Sequence, residues 1–122
     1  MDFNIVKRQI ILEYLKQNGS DHEGEVWSLG DCISVFRHYY QTYVNTFRRD
    51  HPHISNETVS RIIEALPRIP DEYGETLIEL EPEDYKVLID AHFKTKYPQC
   101  NYSIAHFMSG KIRLLRYYKD FG

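Results

Sequence analysis

The sequence is poor in cysteine and has no long apolar run. Cys32 and Cys100 are the only cysteines in 122 residues, and they lie far apart in the chain. Two distant thiols do not make a disulfide framework, so we expect both to be reduced in a cytoplasmic protein. No apolar run approaches the roughly 20 residues of a membrane-spanning helix, and Met1–Lys16 lacks the apolar stretch of a signal peptide. We therefore expect no membrane partner.

Sequence motifs of catalysis and of metal binding are also missing. The chain contains no GxSxG, no phosphate-binding GxxxxGK[ST] and no GxGxxG. It contains no CxxC, HxxxH or HExxH either. The nearest approach to a ligand set is His51 and His53 on one loop, with His92 and His106 on either side of Cys100. We therefore expect a non-enzymatic protein without a metal or another cofactor.

Charge is segregated in the last third of the chain. Residues 71–85 contain seven acids and no Lys or Arg, whereas residues 86–122 contain seven cations and two acids. The net charge is only −3, so any attraction to nucleic acid must come from this local segregation. The acidic segment is explained equally well by a solvated turn, with acids at a helix N-terminus, or by a surface that mimics phosphates and binds a basic protein.

Hydrophobic periodicity predicts an all-α fold, or α with a minor two-stranded β element, as a single domain over residues 1–122. About five helices are expected, and the two-stranded element would pair Val26 and Trp27 with residues 76–80. The predicted core consists of Ile10, Tyr14, Phe36, Tyr40, Val44, Phe47, Ile62, Leu66, Leu88, Ile89, Phe93, Phe107, Ile112 and Leu115.

Capping residues predict where several helices begin. Ser28 and Asp31 have the spacing of a capping box, and Ser55 or Asn56 can cap the following helix. Gly110 interrupts the last apolar stripe without changing its phase. The C-terminal region is therefore either one helix or two short helices joined at that glycine.

The last predicted helices have the arrangement of a helix-turn-helix pair, with a helix over 82–97, a turn, and a helix from about residue 102. In that motif the second helix lies in the major groove and its early residues contact base edges. Those residues would be Tyr102, Ser103 and His106. A plain helical hairpin with a solvated basic face explains the same pattern.

The C-terminal run 111–119 alternates cations with apolar and aromatic residues. With Ile112 and Leu115 turned inward, its cations would face outward and neutralise phosphates, or would complement the dipole of the helix. A second basic cluster is formed by Arg37, His38, Arg48 and Arg49. The predicted nucleic-acid-binding residues are Lys94, Lys96, Tyr102, Ser103, His106, Lys111, Arg113, Arg116 and Lys119.

These patterns favour a nucleic-acid-binding accessory or regulatory protein. The alternative is a protein-interaction module, such as a small inhibitor or adaptor, that acts through its acidic segment 71–85 or through exposed tyrosines such as Tyr39, Tyr43 and Tyr117. In its small size, high tyrosine content and lack of catalytic motifs, the chain resembles accessory proteins of phages, plasmids and conjugative elements.

Overall fold

The computed structural model describes residues 3–18, 27–71, 73–95 and 101–121, which form six helices and one β-hairpin. The predicted fold class, a single helical domain with a minor two-stranded sheet, is confirmed. The elements in chain order are α1 (Phe3–Asn18), α2 (Leu29–Phe47), α3 (Asn56–Ala65), β1 (Arg68–Pro70), β2 (Leu77–Glu79), α4 (Pro82–Lys94), α5 (Ile104–Phe107) and α6 (Gly110–Asp120).

Local capping explains where α2 and α3 begin. The Ser28 hydroxyl accepts a hydrogen bond from the Asp31 amide, and the Asp31 carboxylate accepts one from the Ser28 amide, so the predicted capping box is present. Ser55 caps α3 with a single bond of this kind, in which its hydroxyl accepts from the Thr58 amide at 3.1 Å. Each cap satisfies amide groups that have no partner inside the helix.

The two strands form an antiparallel hairpin in which Ile69 pairs with Ile78. The predicted strand at 76–80 is thus confirmed in its central residues, but its partner is β1 and not the predicted segment 26–27. Pairing across a short turn closes a smaller loop than pairing with residues some fifty positions earlier. Trp27 still contacts this region, since its indole N–H donates to the Leu80 carbonyl at 3.2 Å. Val26 lies outside the described residues.

Helix α2 crosses the centre of the molecule and packs against α1 and α4. Its inner face includes Tyr39 and Tyr43, which are 0% and 1% exposed. The prediction that these two tyrosines form an exposed cluster with Tyr117 was therefore wrong, and Tyr117 itself is half-buried. Buried phenols need acceptors, and the Tyr39 hydroxyl donates to the Tyr102 carbonyl at 2.6 Å.

Most of the predicted core is buried, but two positions were assigned to the wrong side. Val44 is 39% exposed and Leu115 is 44% exposed. In α2 the inner face is centred on the tyrosines, which turns Val44 outward. Three predicted core residues are only half-buried, namely Phe47, Phe93 and Ile112.

In α6 the buried face carries arginine, although the sequence pattern predicts leucine on that face. Arg113 and Arg116 are 2% and 5% exposed, so the predicted phase of this helix was wrong. The Arg113 Nη1 donates to the Ala65 carbonyl at 2.5 Å and to the Tyr85 hydroxyl at 2.8 Å. Ala65 is the last residue of α3, so the guanidinium satisfies a carbonyl that has no partner inside that helix.

Arg116 makes the equivalent contacts with α4. Its Nη1 donates to the Ala91 carbonyl at 3.3 Å and to the Thr95 hydroxyl at 2.9 Å. Both arginines therefore lie at the negative ends of helix dipoles. These contacts attach α6 to α3 and α4 together.

The region after residue 101 forms two helices, which is one of the two predicted arrangements. Helix α5 is a single turn, and α6 begins at Gly110 after its N-cap, Ser109. The Ser109 hydroxyl accepts from the Ile112 amide, and this cap separates the two helices.

We predict that replacing Arg113 by Met lowers the free energy of unfolding by about 2 kcal/mol. Methionine keeps the apolar stem but removes the guanidinium, which leaves the part-buried Ala65 carbonyl without its donor. Urea denaturation measures the change. The matched control is Lys111→Met in the same helix, where the side chain is exposed and we expect a change within about 0.5 kcal/mol. Equal effects of the two substitutions would contradict the assigned role.

Candidate interaction surfaces

The cations of α6 do not share one outward face. Lys111 and Lys119 are exposed near the two ends of the helix, whereas Arg113 and Arg116 are buried against α3 and α4. Leu115 lies on the outer side between the two lysines. The two guanidinium groups are occupied with protein carbonyl and hydroxyl oxygens and are not available on the surface to a phosphate.

The residues predicted to approach bases lie at the junction between α4 and α5. The Tyr102 hydroxyl donates to the Thr95 carbonyl, and the Ser103 hydroxyl caps α5 by accepting from the His106 amide. All three predicted side chains are half-buried. The helix that follows the turn is therefore only the four residues of α5, and α6 is the helix that packs against α4.

An aromatic cluster near the end of α4, where Lys94 is the last residue, approaches the second basic cluster. The Tyr102 ring stacks on Phe93 with centroids 5.7 Å apart, and it lies 5.4 Å from the ring of Phe47. The Arg49 guanidinium lies over Phe47 at 5.8 Å from the ring centroid. The end of α2 thus meets the end of α4, which carries the exposed Lys94. Lys96, also predicted to bind nucleic acid, lies outside the described residues.

The acidic segment begins as a structured hairpin turn between β1 and β2. Asp71 accepts hydrogen bonds from the Tyr73 and Glu75 amides at 3.1 and 3.0 Å, and from the Thr76 hydroxyl at 2.6 Å. Gly74 has φ +70°, a left-handed conformation that glycine adopts without strain. The bond from Thr76, followed by those from the backbone amides, lowers the pKa of Asp71, so this turn contains an ionised carboxylate.

The outer side of this hairpin combines apolar and acidic groups. Tyr73 is 76% exposed at the tip and Leu77 is 58% exposed on β2. Exposed carboxylates surround them in the sequence at Glu75, Glu79 and Glu83. Arg68 on β1 contacts Glu79 at 3.0 Å. We call this surface, residues 68–84 without Glu72, the acidic hairpin.

Tyr73 is a candidate contact residue that the sequence analysis did not single out. Its position in the run Glu72-Tyr73-Gly74-Glu75 was the available signal. A glycine between charged residues indicates a turn, and an aromatic residue at a turn has few neighbours to cover it. The sequence analysis instead proposed tyrosines of α2 as exposed contact residues.

The histidines considered as metal ligands are core residues or surface residues. His51 is 1% exposed; its Nε2 accepts from the Ile104 amide at 2.9 Å, so its Nδ1–H donates to the Pro52 carbonyl at 2.7 Å. His92 is fully buried, whereas His53 is exposed. Within the described residues, no group of three or more His, Cys, Asp and Glu side chains is arranged to hold a metal ion.

Burial lowers the pKa of both core histidines. The pKa of His92 falls to about 4, because burial disfavours the imidazolium and because His106 and Arg116 are nearby. Burial also lowers the pKa of His51, against the opposing effect of its bond to Pro52. Both rings are therefore neutral at pH 7.

Comparisons with known proteins do not place the chain in a family. No family model, no curated protein and no solved structure matches it. In the described segments, no helix combines the length and the apolar character needed to cross a bilayer.

We predict that the protein loses stability as the pH falls from about 6.5 towards 4. In this range the unfolded chain binds protons on His51 and His92 more readily than the folded chain does, so acid favours unfolding. Each histidine contributes a slope of up to about 1.4 kcal/mol per pH unit. Urea denaturation at a series of pH values measures this slope.

The variants His92→Gln and His53→Gln separate this effect from general acid denaturation. The first removes a buried titrating group and should reduce the slope above about pH 5, where most carboxylates stay ionised. The second removes an exposed histidine and should leave the slope unchanged. An unchanged slope in His92→Gln would be inconsistent with the depressed pKa.

Proposed function

We propose that this protein is a protein-interaction module that binds a basic surface of its partner through the acidic hairpin. The observation that carries the proposal is Tyr73, a large aromatic side chain that is 76% exposed at the tip of a hydrogen-bonded turn. Aromatic residues at such positions are common anchors in protein interfaces. The carboxylates around it favour a partner with Lys and Arg on its surface.

The stiffness of the turn supports the same conclusion. Three hydrogen bonds to Asp71, together with the pairing of β1 and β2, hold the tip in one conformation before a partner binds. A preorganised contact element loses less conformational entropy on binding than a mobile loop does. Tyr73 and Leu77 can therefore supply apolar contact area at low entropic cost.

The charge distribution supports specificity for a basic partner. Residues 71–85 contain no Lys or Arg, so no cation of this segment neutralises its carboxylates. Arg68 pairs with Glu79, whereas Glu75 and Glu83 remain exposed on either side of β2. Opposite charges at an interface accelerate association and exclude partners of the same sign.

We predict that Glu75→Gln combined with Glu83→Gln weakens binding of a labelled arginine-rich peptide about fivefold at low salt. This corresponds to roughly 0.5 kcal/mol for each exposed carboxylate. The control variant Glu57→Gln with Glu64→Gln changes the net charge equally but alters exposed residues of α3. Fluorescence anisotropy gives the affinities, and amide chemical shifts locate the peptide.

Tyr73→Ala tests the anchor separately from the charge. We expect it to weaken the same peptide complex at high salt, where the ionic contribution is screened. Tyr118→Ala, on the exposed side of α6, is the matched control. Equal peptide affinities in the hairpin and α3 charge variants, or chemical-shift changes away from residues 68–84, would refute the proposal.

As a second candidate function we propose nucleic-acid binding at the junction of α2 and α4. The half-buried rings of Phe47, Phe93 and Tyr102 lie together there, with Arg49 over the Phe47 ring and the exposed Lys94 next to Phe93 in the sequence. Cations beside aromatic rings are the usual elements of a single-strand binding surface. Of the residues that the sequence analysis predicted to bind nucleic acid, Lys94 and Tyr102 belong to the centre of this proposed site.

We predict that Lys94→Gln combined with Arg49→Gln weakens binding of a labelled single-stranded oligonucleotide. The slope of the logarithm of the binding constant against the logarithm of the salt concentration should become shallower by about 1.4, or about 0.7 for each lost phosphate contact. The control Lys111→Gln with Lys119→Gln removes two exposed cations from α6. Replacing Arg113 and Arg116 is unsuitable, because unfolding would also abolish binding. No binding of single-stranded or duplex DNA at low salt would exclude this candidate.

A further inference from the structure

A cleft on the opposite side of α2 from α4 has the size of a small-molecule site. It has a volume of about 460 Å³, within the range of roughly 300–1,000 Å³ found for ligand pockets. Its lining comes from α1, α2 and the loop after α2, and consists of Phe3, Arg37, Tyr40, Gln41, Val44, Asn45, Asp50 and His51. We call this the α1–α2 cleft.

The cleft is held in shape without a ligand. The Gln9 side-chain amide of α1 donates to the Ile54 carbonyl and to the Asn56 side chain, both at 2.9 Å, which attaches the loop after α2 to α1. The Tyr40 ring stacks on His51 with centroids 4.4 Å apart, and Phe3 meets Tyr40 edge-on at 5.7 Å. These contacts form an aromatic wall on one side.

Hydrogen-bond donors of α2 also line the cleft, next to the aromatic wall. Arg37, Gln41 and Asn45 are spaced four residues apart on α2 and therefore occupy one face of the helix. The Arg37 guanidinium lies over the Phe3 ring at 5.2 Å from its centroid. Among the described residues, no carboxylate forms an ion pair with Arg37.

Tyr40 is the observation that points to a ligand. The residue is 4% exposed, and in the described part of the chain its hydroxyl has no hydrogen-bond partner. A buried hydroxyl without a partner costs about 1–3 kcal/mol relative to one that is satisfied. The hydroxyl oxygen is covered in the free protein, so an acceptor in the cleft would remove that cost once a small side-chain shift lets it reach the oxygen.

The charged side chains that line the cleft limit the charge of a ligand. His51 is neutral and uses both ring nitrogens within the protein, so it does not add a charge. Among the described residues that line the cleft, Arg37 is the cation and Asp50 is the carboxylate. The guanidinium can bind one carboxylate of a ligand, whereas Asp50 would repel the second negative charge of a phosphate.

We propose that the α1–α2 cleft binds a small aromatic monocarboxylate. The carboxylate contacts the Arg37 guanidinium and accepts the hydrogen bond of the Tyr40 hydroxyl, while the ring packs against Phe3 and the exposed Val44. Gln41 and Asn45 contribute further donors at the rim. This site is separate from the acidic hairpin, so its test is independent of the proposed function.

The experiment uses benzoate as the probe and benzamide as its neutral counterpart of the same shape. Amide chemical shifts of the full chain are followed during titration with each compound. We expect benzoate to shift residues of α1, of α2 and of the loop at 48–54, and to bind about tenfold more tightly than benzamide. Inorganic phosphate, the second control, should bind more weakly than benzoate.

Two substitutions assign the polar contacts. Arg37→Gln removes the charge of an exposed residue and should reduce benzoate affinity about tenfold while leaving benzamide affinity unchanged. Tyr40→Phe removes only the hydroxyl, and should weaken benzoate about fivefold without lowering the stability of the free protein. The matched control, Arg61→Gln, removes an exposed arginine of α3 that does not line this cleft.

Any one of four results would overturn the inference. The first is equal affinity for benzoate and benzamide, and the second is chemical-shift changes outside the cleft. The third is equal benzoate affinity in the Arg37→Gln and Arg61→Gln variants. A loss of stability in Tyr40→Phe, measured by urea denaturation, would show that the hydroxyl has a partner inside the folded protein and would remove the observation on which the inference depends.

Discussion

The fold depends on two buried arginines that hold α6 across the ends of α3 and α4. Isolated buried charges are costly, and each guanidinium here contacts a carbonyl in the last turn of a helix together with a hydroxyl group. The negative ends of the helix dipoles provide the compensating electrostatic interaction. Because Arg113 and Arg116 are one turn apart, a single face of α6 contacts both helix ends and closes the core.

This use of arginine changes what the surface can do. The guanidinium groups that were expected to bind phosphates stabilise the interior, and α6 presents Leu115 and two separated lysines to solvent. The acidic hairpin keeps its carboxylates outward because Asp71 and β-pairing orient the turn. The balance of accessible charge in the last third of the chain is thus more acidic than its composition indicates.

The tyrosines divide between core and surface in a way that links stability to binding. Those on α2 close the interior, and Tyr85 both donates to the Leu66 carbonyl and accepts from Arg113. Tyr40 combines the two roles, since its ring is packed while its hydroxyl lacks a partner among the described residues. Binding sites commonly contain a buried residue whose polar group is unsatisfied in the free protein. Such a group lowers the stability of the free protein and gains a partner when the ligand binds.

The sequence alone determined the features that depend on neighbouring residues. The caps at Ser28 and Ser55, the helical fold class and the acidic turn follow from interactions over three or four positions, so local patterns were sufficient. The tertiary structure decided the phase of α6, because its apolar residues occupy more than one side and both faces were possible. The face that became buried was the one that could donate hydrogen bonds to the carbonyl ends of α3 and α4, and those acceptors come from elements distant in the chain. For the same reason, only the packing of α1 against α2 could show that Arg37 and Tyr40 line one cleft.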